Sequence, residues 1–349
     1  MPGIFYTSPE FLELERAHLF QREWVCLGRV EELENPGDYL TGMVLEEPIV
    51  LIRGDDGLIH AFSNICRHRG MVIAEGSGSC RRLVCPYHHW TYDRLGRLVG
   101  APNLEGRPGF DKKNYRLPEI KCEIWQGFVF VSLTENPQPL SLLLAPLEER
   151  IGHYGFGEMK LRYISNEVWD TNWKCLMENF MEGYHLSSLH RKTLHRLNPT
   201  SLCQHFEPGD AYFGFYSGFS MNLDRVESKN PDLEEEDVEQ CVMFAVPPGL
   251  AVGGASDYSS FISIQPLSVG QVRVKLGLFF SNDDWPDTKV EEAIELFQRT
   301  AKEDKIALKG VQVGLASKYH EQGPLAYRDY EGCILDFYNY LARRLAHEL

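Results

Sequence analysis

The chain is short of positive charge: 35 Lys and Arg stand against 50 Asp and Glu, a formal charge of −15 over 349 residues. Nucleic acid or an anionic membrane would want clustered Lys and Arg, so neither is an expected partner. Long apolar runs are missing too. The longest near the middle, Leu140 to Leu147, is far too short to cross a bilayer and carries Pro146. The opening MPGIFYTSPEF has no basic segment followed by an apolar one, so no secretory signal is expected and the protein is read as soluble and cytoplasmic. Nine cysteines is an odd count, mostly scattered singly, which argues against a disulfide framework. Internal repeats and low-complexity tracts are absent. The length remains sufficient for two domains.

What is there begins with Asn64 to Tyr92. Cys66 and His68 are separated by one residue, Cys85 and His88 by two, and sixteen residues lie between the pairs. Gly, Pro and Arg crowd around both, so each pair reads as a loop tip presenting one thiolate and one imidazole. Two chemistries use such a set: a tetrahedral zinc site, or a [2Fe–2S] cluster in which two Cys hold one iron and two His the other. Zinc sites more often draw paired ligands from C-x2-4-C and H-x3-5-H units, and the mixed pairs here favour the cluster. CRHRG followed by CPYHHWTY resembles the C-x-H-R-G and C-P-Y-H-x-W-x-Y signature of the Rieske non-haem iron oxygenases. Cys80 and His89 fall outside that pattern and are read as non-ligands.

The flanking sequence has the periodicities of an α+β chain. Ser8 to Arg22 opens with a Ser cap and Pro and predicts an entry helix, so residues 1–37 are expected as a helical segment packing on the second domain. From Tyr39 the period becomes two, with a turn at Asp55-Asp56-Gly57, and Glu123 to Leu133 supplies a further strand. Residues 38–135 are expected as a small all-β domain carrying the cluster, and 136–349 as the second domain. Within the latter, Leu140 to His153 reads as a short helix, and residues 201–282 alternate as strands, including Cys241 to Pro247, Phe261 to Pro266 and Val272 to Phe280. A long helix from about Asp287 to Ser317 follows. Pro231 to Asp237 is expected as a solvated acidic loop.

Asn172 to His190 is the second informative stretch. Trp173, Leu176, Phe180 and Tyr184 give it a helical apolar face, with Glu178, Glu182 and His185 on another. His185 and His190 would diverge by about 140° on an ideal helix, so one metal could take both only if the helix widens. Taken alone they are ordinary surface or core histidines. On the late helix Ile294, Phe297, Ala301, Asp304, Leu308, Val311 and Leu315 share a face, and a carboxylate amid that stripe must be paired, protonated or bound to metal. Glu303, Lys302 and Lys305 are expected to stay solvated.

The resemblance joins these pieces. Glu182-Gly-Tyr-His185-Leu-Ser-Ser-Leu-His190 looks like the family's acid-x2-His-x4-His element, and EDKIALKGVQVGL resembles the segment that carries its third iron ligand. It implies a helix-grip catalytic domain, an antiparallel sheet with a long C-terminal helix. It also implies Cys66, His68, Cys85 and His88 on the [2Fe–2S] cluster, and His185, His190 and Asp304 on a mononuclear Fe(II). Glu182 would bridge a cluster histidine of one subunit to an iron histidine of the next, which implies a homotrimer. Electrons would come from NAD(P)H through a ferredoxin or a flavin/iron–sulfur reductase, and O2 would oxidise a small-molecule substrate. A non-catalytic cluster module and a zinc hydrolase using Glu182 and His185 are the competing classes; the second triad separates the first, and O2 dependence the second.

Substrate is the least determined. His89 replaces the Gly that many ring-hydroxylating members have after the second cluster histidine, and VQVGLASKYHEQGPL is similar to the run in members acting on small quaternary amines. An N-methylated or quaternary amine is therefore favoured over aromatic-ring hydroxylation. Tyr212, Phe213, Phe215, Tyr216 and Phe219 could line its pocket, or could equally be core.

Overall fold

Runs rich in Val, Ile, Phe and Tyr, broken by Gly turns, fold as the sheets of a computed structural model that describes residues 1–220, 230–281 and 285–346. The chain forms two units, Gln21–Pro137 and a second made of Met1–Phe20 with Gln138–Leu349.

The first unit is all β. Its larger sheet is built from β1 (Val25–Arg29), β2 (Asp38–Val44), β3 (Glu47–Arg53), β4 (Ile59–Ser63), β5 (Ser77–Ser79), β9 (Glu119–Trp125) and β10 (Phe128–Ser132), in the order β1-β10-β9-β4-β3-β2-β5. A smaller sheet holds β6 (Leu83–Val84), β7 (Thr91–Tyr92) and β8 (Leu98–Gly100). The expected boundary at residue 37 is corrected to residue 20. Val25 to Arg29 pairs antiparallel with β10 and is buried throughout, so Gln21 onwards belongs to the β unit rather than to a helical segment.

The second unit is α+β. Strands β11 (Lys160–Trp169), β12 (Cys203–Phe206), β13 (Phe213–Gly218), β14 (Gln240–Val246), β15 (Leu250–Gly254), β16 (Tyr258–Ser268) and β17 (Gln271–Phe280) make one antiparallel sheet, ordered β11-β17-β16-β15-β14-β13-β12. Helices α1 (Ile4–Thr7), α2 (Pro9–Glu15), α3 (Leu140–Leu143), α4 (Ala145–Ile151), α5 (Trp173–Phe180), α6 (Glu235–Val238), α7 (Asp287–Leu315) and α8 (Arg328–Leu345) accompany it. The entry helix starts where its sequence says, with Ser8 Oγ accepting from Phe11 N–H at 3.0 Å, but widens into a π turn over Arg16–Phe20. Leu140 to His153 is two helical pieces, because Pro146 permits a new helix start there. The acidic loop is not wholly solvated: Asp237 is buried, and its Oδ2 lies 2.9 Å from His153 Nε2. Part of the 201–282 stretch, residues 221–229 and 282, lies outside the described residues.

Beneath the sheet the helices are tied together by buried polar groups. Lys174 and Glu15, both fully buried, pair at 2.5 Å, and Trp173 Nε1–H donates to the same carboxylate at 2.9 Å. Glu178 accepts from Tyr6 O–H at 2.6 Å. Burial pushes its carboxyl up to about 7, against the opposing pull of that hydrogen bond.

Candidate metal centres and substrate cavity

In the β unit the two loop tips have one backbone design. Cys66 N–H donates to Met71 O and Gly70 N–H to Cys66 O; correspondingly, Cys85 N–H donates to Trp90 O and His89 N–H to Cys85 O. Each six-residue loop needs a left-handed residue at its fifth position. Gly70 takes it at φ 73°, and His89 takes the equivalent place at φ 58°, where a side chain costs about 1 kcal/mol. A glycine would take this position without that cost, and His89 takes it at the expense of strain.

These loops bring the four predicted ligands together. Cys66 and Cys85 are buried among Trp90, Tyr92 and Leu98, while the His68 and His88 rings stand 4.6 Å apart on the more exposed side. His68 also stacks on Trp90 at 4.8 Å. Burial above all, and the adjacent Cys85 thiol, hold Cys66 above the ordinary thiol range, a cost that a cation between the sulfurs removes. Residual burial, His88 and Arg69 lower the His68 pKa, which keeps its ring neutral and its lone pair available. Tyr92 Oη accepts from Arg67 N–H at 2.9 Å, leaving its own proton to point at Cys66 Sγ 3.4 Å away. Two buried thiols and two outer imidazoles fit a [2Fe–2S] cluster with mixed ligands.

In the α+β unit, helix α5 ends at Phe180, so the expected helix through His190 is corrected. Gly183 accounts for the departure: its N–H donates to Tyr330 O at 2.8 Å, and a Cβ there would lie 2.3 Å from Cys203 Sγ. His185 and His190 sit on successive turns beyond the helix, which removes the angular conflict. Glu178, Glu182 and His185 do not share a stripe, since Glu178 faces Tyr6 and Glu182 folds back on His185.

His185, His190 and Asp304 each offer a ligand atom within 4.8 Å of the others. Asp304 Oδ1 lies 3.2 Å from His190 Nε2 and 3.7 Å from His185 Nε2. Behind the rings, His185 Nδ1 hydrogen-bonds Glu182 Oε1, and His190 Nδ1–H donates to Glu303 Oε2 at 2.7 Å. Asn179 Nδ2–H spans Asp304 Oδ1 and His185 Nε2 at 3.3 Å each. With both Nδ1 protons held by carboxylates, two Nε2 lone pairs and a carboxylate oxygen converge on one small volume. Only a proton or a cation makes that stable, and a cation with nitrogen and oxygen ligands fits. Burial lowers the His190 pKa, but the Asp304 and Glu303 hydrogen bonds outweigh it and hold it above its ordinary value, which is the protonic form of the same attraction.

Glu303 was expected in solvent and is not. Besides His190 it accepts from Thr193 O–H at 2.7 Å, and these bonds outweigh its partial burial to hold its carboxyl below the usual range. Lys305 is likewise engaged, 2.6 Å from Glu167. The apolar stripe around Asp304 also fades: Val311 is exposed. The role of Glu303 was missed because it precedes the more conspicuous Asp304 and its partner His190 is far away in sequence, and that of Asn179 because it follows Glu178 and its partner Asp304 lies on another helix.

Beside the triad lies a cavity of about 390 Å³ whose walls include Phe180, Phe215, Phe219, Tyr258, Trp285 and Phe297. Of the expected aromatic run only Phe215 and Phe219 reach it. Phe213 packs on Phe337 in the core, and Tyr216 lies tilted against Phe206.

The sequence of residues 156–347 matches the family model described as ring hydroxylating alpha subunit (catalytic domain), and residues 23–118 match the Rieske [2Fe–2S] domain. The chain is 30% identical to the carnitine monooxygenase oxygenase subunit of Acinetobacter baumannii over 92% of its own length and 87% of that protein. It is 38% identical to the glycine betaine monooxygenase oxygenase subunit of Chromohalobacter salexigens, over 56% of this chain and 44% of that one. The fold superimposes on the quaternary ammonium Rieske monooxygenase CntA in complex with gamma-butyrobetaine with a TM-score of 0.84 at 27% identity, covering 99% of this chain and 95% of the other. A [2Fe–2S] cluster, a mononuclear iron, O2 and reductase-derived electrons are accordingly the working parts of an O2-dependent oxidoreductase. The chain belongs to the ring-hydroxylating alpha-subunit family of Rieske non-haem iron oxygenases.

Proposed function

We propose that this oxygenase subunit acts on an N-methylated or quaternary amine, by monooxygenation or oxidative N-demethylation. The observation that carries the reading is the cavity's chemistry: among the described residues, six aromatic rings with Asp257 and Glu292 in the walls, against one ammonium, Lys289, itself paired with Glu292 at 3.4 Å. Aromatic faces and carboxylates attract a permanent cation, whereas a neutral aromatic substrate gains nothing from the carboxylates. The named activities of the relatives point the same way.

In this reading Cys66, His68, Cys85 and His88 hold the cluster, and His185, His190 and Asp304 hold the mononuclear iron. When bound, the cluster supplies single electrons and the iron supplies O2 activation. The chain's own residues hold and orient. Glu182 and Glu303 keep both Nδ1 protons on the outer side of the iron histidines, Asn179 fixes the Asp304 carboxylate, and the aromatic walls exclude water from the substrate's methyl groups. Overall, one oxygen atom enters a C–H bond, and the other leaves as water with two electrons and two protons.

Glu182 is further assigned the electron bridge to a cluster histidine of a neighbouring subunit in a homotrimer, served by a ferredoxin or flavin/iron–sulfur reductase in the cytoplasm. Its support is that Glu182 already engages His185 Nδ1 and backbone N–H. Glu182→Ala should leave both metals bound and stop coupled turnover; rapid electron transfer in that variant would sink the bridge.

The function itself is tested by single turnover. Pre-reduced protein with verified iron and sulfide is exposed to O2 with a panel of N-methylated amines and aromatic acids. Hydroxylated or demethylated amine, with formaldehyde in the second case, is expected. A phenol or cis-diol as the sole product would move the enzyme to ring hydroxylation.

A further inference from the structure

On its sheet side the cavity rests on one row of residues that crosses five strands. In register, Phe215 on β13 stands opposite Met243 on β14, Met243 opposite Gly253 on β15, Gly253 opposite Ser260 on β16, and Ser260 opposite Leu278 on β17; all five line the cavity. Residues directly opposite one another share a face, so the row is bulky except at Gly253 and Ser260, where it sinks. Phe215 marks the iron end, because a Cβ on Gly183, next to Glu182, would lie 3.6 Å from its ring. Leu278 marks the other end, packed with Trp285 and Ala293. At about 4.8 Å per strand, Gly253 lies about 10 Å along the row from Phe215. On α7, Ala293, Leu296 and Phe297 line the same cavity, Phe297 about 10 Å along the axis from Asp304. The middle of the cavity is thus hollow on the sheet side and apolar on the helix side.

The glycine at the centre of the row has no backbone cause. Its φ lies outside the left-handed region, and a glycine inside a strand weakens the strand. The adjacent Gly254 is explained by packing, since a Cβ there would run into the Phe156 ring. A Cβ on Gly253 would instead meet Ser260 Oγ at 3.0 Å and Met243 Sδ at 3.1 Å, both on residues of the cavity floor. Met243 and Ser260 keep accessible surface while Val242, Phe244 and Ser259 beside them are buried, the alternation of strands with one face open to a cavity. A volume of about 390 Å³ is in the range that encloses drug-sized ligands, well beyond the few heavy atoms of a methylated ammonium head.

We propose that the substrate is an N-methylated amine whose nitrogen carries a bulky apolar substituent: the methyl to be oxidised lies at the Asp304 end, and the substituent sits over Gly253 and Ser260. This rests on the amine reading of the same cavity and adds to it the size and polarity of the remaining group, with the two residues that select it. An aromatic or branched substituent buried against Met243, Leu296 and Phe297 supplies binding that a small head group cannot. Gly253 and Ser260 select by the volume they leave open.

The test compares two probes on the iron-loaded, cluster-loaded protein by calorimetry: benzyltrimethylammonium, which has a bulky apolar arm, and tetramethylammonium, which has none. Wild type should bind the first at least about tenfold more tightly, and its single turnover should release benzyldimethylamine and formaldehyde. Gly253→Val fills the hollow, and should weaken benzyltrimethylammonium about tenfold while leaving tetramethylammonium within about twofold, with Gly253→Ala in between. Ser260→Val fills the same place from the neighbouring strand and should give the same split, so it decides the matter if Gly253→Val fails to fold or to hold iron. Equal affinity of wild type for the two probes, or equal losses for both in the filled variants, overturns the bulky substituent while the amine reading stands. A wild-type protein that binds neither probe, or that makes only a ring phenol from benzyltrimethylammonium, overturns both together.

Discussion

Among the described residues, two groups in the α+β unit each place a histidine and an aspartate within reach of one another, and their hydrogen bonds differ in a way that bears on whether a cation fits. His185, His190 and Asp304 have their Nδ1 protons drawn backwards by Glu182 and Glu303, so Nε2 lone pairs face inward. His205, Cys333 and Asp336 are equally close, but Arg328 Nε–H donates to His205 Nδ1 at 3.2 Å, and His205 Nε2–H donates to Asp336 at 2.6 Å. Both ring nitrogens are spent, and Cys333, deep in apolar surroundings, has its thiol pushed well above the ordinary range. The second group is a clamp between β12 and α8. Proximity of ligand-type residues is therefore weak evidence for a metal, and the direction of the hydrogen bonds behind the imidazoles is strong evidence.

The largest effect should come from removing the shared carboxylate. Asp304→Ala is expected to lose the mononuclear iron and all turnover while the cluster's visible absorption is unchanged; retained iron, measured by metal analysis against sulfide, would move the ligand elsewhere. Next, Glu303→Gln keeps the size but not the charge behind His190, and should weaken iron binding by about 10- to 100-fold in a chelator competition. An unchanged affinity would reduce Glu303 to a surface residue.

A third carboxylate sharpens the contrast, because the partly buried Glu178 has tyrosines instead of imidazoles around it. Tyr6 O–H donates to it, and Tyr338 lies 3.1 Å from Tyr6. Burial raises its pKa to about 7, so the folded state keeps a proton that the unfolded chain releases near pH 4.5. Its contribution to stability is therefore full below about pH 4.5 and is lost as the pH rises to about 7, on the order of 3 kcal/mol in all. Glu178→Gln should match wild type at pH 4.5 and melt higher at pH 8; parallel Tm-versus-pH curves would show that Glu178 is ionised in the fold. Smallest of all, His205→Gln should cost about 1–2 kcal/mol of stability and leave iron content and single-turnover yield intact. Iron loss there would undo the comparison.

The fold was legible in its strands and in the long helix, whose apolar spacing is local. It was less legible at its joints. Val25 to Arg29 was read with the helical entry because five buried residues before a turn carry no alternation, and only pairing with β10 identifies the strand. Helix α8 went unread, although Cys333, Phe337 and Leu341 recur at its core face.

The ligand candidates were legible because each cluster loop is a closed six-residue turn, and because the acid-x2-His-x4-His run folds on itself. Spacing along a few residues fixes such geometry whatever lies around it. Which carboxylate stands behind His190 and which asparagine steadies Asp304 depend instead on α7 lying against α5 and the turns after it, residues more than a hundred positions apart. Chain composition determined an acidic two-domain protein, and two short motifs determined its metals' loops. Tertiary packing alone decided the direction of each proton and the chemistry of the cavity wall, because hydrogen-bond direction and burial belong to pairs of groups that the chain brings together only when folded.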